Sequence, residues 1–170
     1  MGFGDDLTVM EKIKENKIKK IYLSTDHKGF KIKEKVKLWL KDWNYEVEDF
    51  GAFGLDPDDD YPDFISKVAE KVSADSENTR GIVFGATGEG EAIVANKYKG
   101  IRASVYYGGP EEIIALARDH SNANILSLGV LFLDEETAKK MIKLWLEKPF
   151  SGTERHIRRL NKIKEIENQQ

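Results

Sequence analysis

Gly81-Ile82-Val83-Phe84-Gly85-Ala86-Thr87-Gly88-Glu89-Gly90-Glu91-Ala92-Ile93-Val94-Ala95-Asn96-Lys97 is the stretch whose reading decides the fold. Ile82 to Phe84 is a short apolar run that reads as a buried strand, and the apolar positions after Glu91 read as a helix. Gly85, Gly88 and Gly90 between them make a strand-to-helix turn. Such a turn suits an anion. Glycine lets the backbone come close to a ligand, and a helix start offers unpaired N–H groups and the positive end of a dipole. The carboxylates of Glu89 and Glu91 set it apart from a plain phosphate loop, where two negative side chains would be unhelpful. A site that must also remove a proton has a use for one of them.

Working outward, strands and helices alternate along the rest of the chain. Ile21 to Leu23 reads as a first strand, ending in the polar turn Ser24-Thr25-Asp26-His27-Lys28-Gly29-Phe30. A helix follows, with Ile32, Val36, Trp39 and Trp43 on one face. Tyr45 to Val47 gives a second strand and 49–60 a long acidic loop, after which Pro62 and Asp63 suit the first turn of a helix carrying Phe64, Val68 and Val72. Beyond the opening stretch, Ile101 to Tyr106 is a fourth strand. Gly108-Gly109-Pro110 leads into a helix that ends near His120, and Ile125 to Leu128 is a fifth strand. Asp134 caps a helix stopped by Pro149. Residues 153–167 form a charged helix whose narrow stripe of Ile157, Leu160, Ile163 and Ile166 suits a subunit contact.

This order predicts an α/β fold, a three-layer α/β/α sandwich on a five-stranded parallel sheet of Rossmann-like type. Ligands in such folds bind beyond the carboxyl ends of the strands, so the turns at 24–30, 85–91 and 107–110 are expected to share the ligand edge. Residues 1–17 read as a polar extension outside the core.

Composition narrows the chemistry. The chain has 170 residues, 40% of them hydrophobic, which fits one domain with a real core. Its net charge of −3 gives no basic field for nucleic acid. The absence of cysteine removes disulfides, thiolate metal sites and a cysteine nucleophile, and three scattered histidines do not make a zinc site. There is no membrane-spanning run and no signal-type core in the first twenty residues, so a cytoplasmic location is expected.

Several residues carry candidate chemistry. Asp26-His27 sits at a strand end, where the histidine can hold a substrate oxygen or phosphate and the aspartate can orient it or accept a sugar hydroxyl; an Asp cap beside an exposed histidine is the bland alternative. Glu89 and Glu91 are two residues apart on a helix and point to different sides, so at most one reaches a reacting carbon, and both also read as acids that complement the helix dipole. The turn lacks the Lys-Ser/Thr of a Walker loop and the third glycine of a dinucleotide fingerprint. His120 lies at a helix end, where a structural role near the last carbonyls is the competing reading. Arg155 and Arg159 are one helical turn apart and can grip a single anion, although a solvated helix face is the commoner meaning of such a run. Asp56, Asp58, Asp59 and Asp60 do not have EF-hand spacing and read as a solvated loop.

Taken together, Asp26-His27-Lys28-Gly29-Phe30, Asp60-Tyr61-Pro62-Asp63, Gly85-Ala86-Thr87-Gly88-Glu89-Gly90, the segment from Ala95 to Ala103, His120-Ser121-Asn122-Ala123-Asn124 and Arg155-His156-Ile157-Arg158-Arg159 resemble the ribose-5-phosphate isomerase B family, which includes galactose-6-phosphate isomerase subunits. The resemblance covers about residues 18 to 165, in family order. It implies that 18–167 is one sugar-phosphate isomerase domain including the last helix. It also implies a homodimer, or a tetramer of the same chain, with the active site between subunits, and metal-free, cofactor-free isomerisation of a phosphorylated sugar through a cis-enediolate. Many members carry a cysteine base where this chain has Gly85. A second branch uses a glutamate just after the turn, and that position matches Glu91. By the same resemblance His120 opens the sugar ring, and Thr87 with the backbone of Gly85, Ala86, Gly88 and Gly90 holds the enediolate. Asp26, His27, Ser121, Arg155 and Arg159 contact substrate or its phosphate. Ser121 stands where the family usually has Asn, and Leu131 where it commonly has a phosphate-binding arginine. These departures leave open a hexose 6-phosphate substrate of the allose or galactose type, or a sugar-phosphate-binding module without catalysis.

Overall fold

The computed structural model describes residues 18–170; the extension expected over 1–17 lies outside the described residues. The five strands are β1 (Lys20–Thr25), β2 (Glu46–Asp49), β3 (Thr79–Gly85), β4 (Ala103–Tyr106) and β5 (Ile125–Gly129). Among the described residues six α-helices accompany them, α1 (Phe30–Asp42), α2 (Tyr61–Ala74), α3 (Glu89–Ala95), α4 (Glu112–Asp119), α5 (Glu135–Glu147) and α6 (Glu154–Glu167), with a short 3-10 turn at His27–Gly29. The strands form one sheet in the order β2-β1-β3-β5-β4, with every neighbouring pair parallel. The predicted α/β/α sandwich on a five-stranded parallel sheet is what the chain adopts.

Alternation along β3 builds the two faces. Ile82 and Phe84 point into a core made with Val36, Trp39 and Leu40 of α1, Ile114 of α4, and Met141, Ile142 and Trp145 of α5. Val83 points the other way, into a core with Ile65, Val68, Ala69 and Val72 of α2 and Ala95 of α3. Gly81 lies on that second face, and a side chain there would run into Val68 and Ile125, so its lack of a Cβ lets α2 close on the sheet. α6 lies across the amino-terminal edge of the sheet. Its start neighbours Ser151, which donates to Asp119 O at 2.9 Å. Its far end brings Glu167 to the backbone N–H of Gly100.

Strand order fixes where the site must be. From β1 the chain moves to β2 on one side, and then to β3 on the other. The crevice outside the carboxyl ends of β1 and β3 is therefore a topological switch point, the place where such sheets take ligands. Thr25 of β1 is in register with Phe84 of β3, so the turns that follow the two strands leave the sheet side by side.

Candidate active site

The turn after β3 brings the two acids to different fates. Glu89 is exposed, whereas Glu91 is 4% exposed and its carboxyl group folds back over Gly85. A Cβ on Gly85 would overlap the Glu91 carboxyl, so the glycine at the end of the strand is what makes room for the acid. Gly88 has φ +78°, a left-handed conformation that favours glycine, and its carbonyl accepts from Ser127 Oγ at 2.6 Å. Val130 N and Leu131 N donate to Gly85 O and Ala86 O at 2.9 and 3.0 Å, which ties the turn to the end of β5. Thr87 is exposed, with its hydroxyl 3.3 Å from Glu89 N.

Burial raises the Glu91 carboxyl above its ordinary value; its own backbone N–H acts against this and the negative Asp26 nearby adds to it. From sequence, burial and the helix start oppose each other at this residue, and in the folded chain burial wins. A carboxylate with a raised pKa is a stronger base once it is ionised.

On the β1 side, Thr25 Oγ1 donates to Phe84 O at 2.8 Å, and a side chain at Gly29 would meet Thr25 and Phe84, so this glycine lets the turn lie flat on the strand ends. Asp26 is buried and accepts from Lys28 N at 2.9 Å. The capping role weighed as the bland reading is thus real, and it coexists with a position beside Glu91. His27 is partly buried, and its Nδ1 lies 2.6 Å from Asp59 Oδ1. That contact corrects the reading of the acidic loop as wholly solvated. Asp56, Asp58 and Asp60 are exposed, but the Asp59 side chain is only 8% exposed. The four acids look alike in sequence, and only tertiary contact separates one from the rest.

Tyr61 joins this group, and sequence reasoning gave it no role. Its ring lies over the turn, where a Cβ on Gly90 would come within 2.8–3.1 Å of it. Its signals in sequence are its place as the first residue of α2, directly before Pro62, and its membership of the Asp60-Tyr61-Pro62-Asp63 motif in the resemblance.

The remaining predicted residues lie elsewhere. α4 runs back from the ligand edge, so His120 at its end sits at the amino-terminal edge, separated from the 85–91 turn by the length of β5, roughly 15 Å of strand. Its ring packs on that of His156, with centroids 4.2 Å apart, and its Nε2 is 3.4 Å from Asp119. His156 is buried and receives Arg155 Nε at 3.3 Å. Burial lowers the pKa of His156, and the charges of His120, Arg155 and Arg159 act in the same direction. Ser121, Arg155 and Arg159 are exposed, and neither arginine has a carboxylate within 4.0 Å among the described residues. Leu131 is also exposed, near the paired rings of Tyr107 and Phe132. A cavity of about 430 Å³ at the amino-terminal edge, lined by Ser76, Lys99, Arg102, Asn161 and Lys164 among others, contains none of the residues predicted for chemistry.

The structure therefore gathers Asp26, His27, Gly85, Ala86, Thr87, Gly88, Gly90 and Glu91 at one edge. It gathers His120, Ser121, Arg155 and Arg159 at the other.

A buried carboxylate held over a glycine turn, at the switch point of a parallel sheet, is an arrangement suited to a small-molecule site with a group able to exchange a proton. Residues 21–163 match the Ribose/Galactose Isomerase family. The chain is 38% identical over 143 residues to a probable ribose-5-phosphate isomerase B of Mycoplasma genitalium, covering 84% of this chain and 92% of that one. It is 35% identical over 148 residues to ribose-5-phosphate isomerase B of Mycobacterium tuberculosis, covering 87% and 90%. The crystal structure of the M. genitalium enzyme with bound ribulose-5-phosphate superposes with a TM-score of 0.86 at 36% identity, over 91% of this chain and 99% of that one. The chain belongs to the ribose/galactose isomerase family, on its ribose-5-phosphate isomerase B side, and is a sugar-phosphate isomerase.

Proposed function

We propose that the protein interconverts ribose 5-phosphate and ribulose 5-phosphate through a cis-enediolate, with Glu91 as the base. The observation that carries this is the Glu91 carboxyl lying over Gly85. In the resemblance set out above, position 85 is where many family members hold a cysteine base. Here the glycine vacates that space and a carboxylate from one turn later fills it. The base is thus delivered to the same place from a different point of the chain.

The chemistry follows from the geometry. Glu91 takes the proton from C2 of the open-chain aldose, and the C1 carbonyl oxygen gains the charge. The protonated Glu91 then delivers the proton to C1 while O2 becomes the carbonyl and its hydroxyl proton passes to O1. Backbone N–H groups of the 85–90 turn and the Thr87 hydroxyl meet the enediolate charge, a kind of contribution worth roughly 3–4 kcal/mol per well-placed donor. His27 and Asp26 hold the substrate from the β1 side.

Ring opening by His120, a contact from Ser121 and phosphate binding by Arg155 and Arg159 require a second copy of the chain, because one chain keeps these residues at the far edge. A homodimer supplies them, with each site built from both subunits, and the exposed Ile157, Ile163 and Ile166 of α6 offer apolar surface for such contact. Two such dimers can pair into a tetramer without altering this argument. The same reading places the enzyme in the cytoplasm with its charged substrate; no helix among the described residues is long and apolar enough to cross a membrane. A panel of pentose and hexose phosphates offered to the purified protein tests the substrate. Turnover of ribose 5-phosphate above allose 6-phosphate and galactose 6-phosphate is expected, and preference for a hexose would overturn the pentose reading.

A further inference from the structure

We infer that Asp59 is a positioning residue for His27, fixing both the orientation of its ring and which ring nitrogen carries a proton, so that Nε2 is the atom offered to the ligand. The inference rests on the reading that this crevice binds a sugar phosphate.

Asp59 makes two contacts to a single residue. Its Oδ1 accepts from the backbone N–H of His27 at 3.2 Å and lies 2.6 Å from His27 Nδ1. A carboxylate can only accept, so Nδ1 must carry a hydrogen. Backbone and ring are thereby fixed to the same oxygen, which removes the rotamer freedom that a strand-end histidine would otherwise have. The side chain keeps 20% of its surface open, and with Nδ1 engaged by Asp59 the nitrogen left for a ligand is Nε2.

The other oxygen, Asp59 Oδ2, is buried and has no hydrogen-bond partner among the described residues. A half-satisfied buried carboxylate costs stability, so its presence asks for a role other than holding the fold. The loop that carries it is anchored to suit. Phe50 N donates to Leu23 O at 2.8 Å, Thr25 N to Gly51 O at 2.7 Å and Ala52 N to Thr25 O at 2.7 Å, so the loop extends the pairing with β1 beyond the end of β2. Asp49 secures its start by accepting from Gly51 N at 2.9 Å and pairing with Lys37 at 2.8 Å and with the fully buried Lys33. With Asp26 and Glu91 both close by, a phosphorylated ligand meets two negative groups here. A histidine held with Nδ1–H inward and Nε2 outward gives it one atom that can donate when the ring is protonated.

The test uses the full chain and two variants, Asp59→Ala and Asp59→Asn. Nitrogen-15 NMR of the imidazoles, assigned through His27→Gln, reads the tautomer without ligand and without turnover. The neutral His27 ring should be protonated at Nδ1 in the wild type, keep that form in Asp59→Asn, whose amide oxygen still accepts, and move toward Nε2–H in Asp59→Ala. With ribose 5-phosphate, KM should rise about tenfold in Asp59→Ala while kcat stays within about twofold, and Asp59→Asn should recover most of the loss. A wild-type His27 protonated at Nε2 in its neutral form overturns the inference, as does a KM equally raised in both variants. If no sugar phosphate is turned over, the functional reading fails, and the tautomer result still decides the role of Asp59. Should Asp59→Ala not fold, the wild-type and Asp59→Asn spectra carry the test.

Discussion

The two edges of the sheet hold two groups of candidate residues in unlike settings. At the carboxyl edge, Glu91, Asp26 and Gly85 are buried, and the turns that carry them are tied to the strand ends by hydrogen bonds of 2.6–3.0 Å. At the amino edge, Ser121, Arg155 and Arg159 are exposed, and His120 leans on His156 with much of its surface open. A base works best in a preorganised, water-poor setting, and the fold gives the Glu91 carboxyl such a setting within one chain. Cations that grip a phosphate are cheap to leave in water until the ligand arrives. Under the function proposed here, each chain would complete its own base site and lend its binding groups to another.

The largest effect that can break this comparison is at the buried half. Glu91→Gln should lower isomerisation by about a thousandfold or more while leaving the circular dichroism spectrum unchanged, and should stop exchange of the substrate C2 proton with deuterated solvent. Next is Gly85→Ala, whose new Cβ occupies the space of the Glu91 carboxyl. A displaced base should cost about a hundredfold in kcat, measured with saturating substrate. The exposed half should respond differently: Arg159→Ala should raise KM by roughly tenfold with a smaller change in kcat, because one charge-assisted contact is removed and the base is untouched.

The smallest effect is on pH dependence and stability. Burial keeps the proton on Glu91 to higher pH in the native chain than in the unfolded one. The stability linked to this group is thus fully present below the ordinary glutamate value of 4.5 and is lost as pH rises through the raised native value. Urea denaturation across that window should show Glu91→Gln becoming the more stable chain as pH rises, while the acid limb of kcat/KM in the wild type lies above 4.5. A wild-type limb at or below the ordinary value would mean that the carboxylate is solvated in action.

Much of this was readable before the structure, and the misses have physical causes. The opening stretch gave its strand, its turn and its helix because apolar runs and glycines act locally. β3 begins earlier than its apolar run, at Thr79, because Lys20 of β1 pairs there, and no local pattern signals a partner in another strand. β4 starts later than expected, at Ala103, since Arg102 N is taken by Asn124 Oδ1 at 2.8 Å instead of by the sheet. β2 extends to Asp49 through polar residues that an edge strand tolerates, with Glu46 and Glu48 both meeting Lys20. At the site, periodicity could say that Glu89 and Glu91 face different ways but not which is buried, and the resemblance selected the one that the fold encloses. Asp59 and Tyr61 were invisible as individuals, because what marks them is a histidine and a glycine about thirty residues away in the chain.

The central claim, that each site draws its base from one chain and its histidine and arginines from another, is tested most directly by subunit complementation. Glu91→Gln and His120→Ala chains, each inactive alone, are co-expressed with different tags and the mixed species is purified. In a twofold dimer one of its two sites then carries both substitutions and the other carries neither, so about half of wild-type activity should return. If the mixed dimer is as inactive as its parents, both residues serve one site from the same chain, and the division between the two edges is wrong.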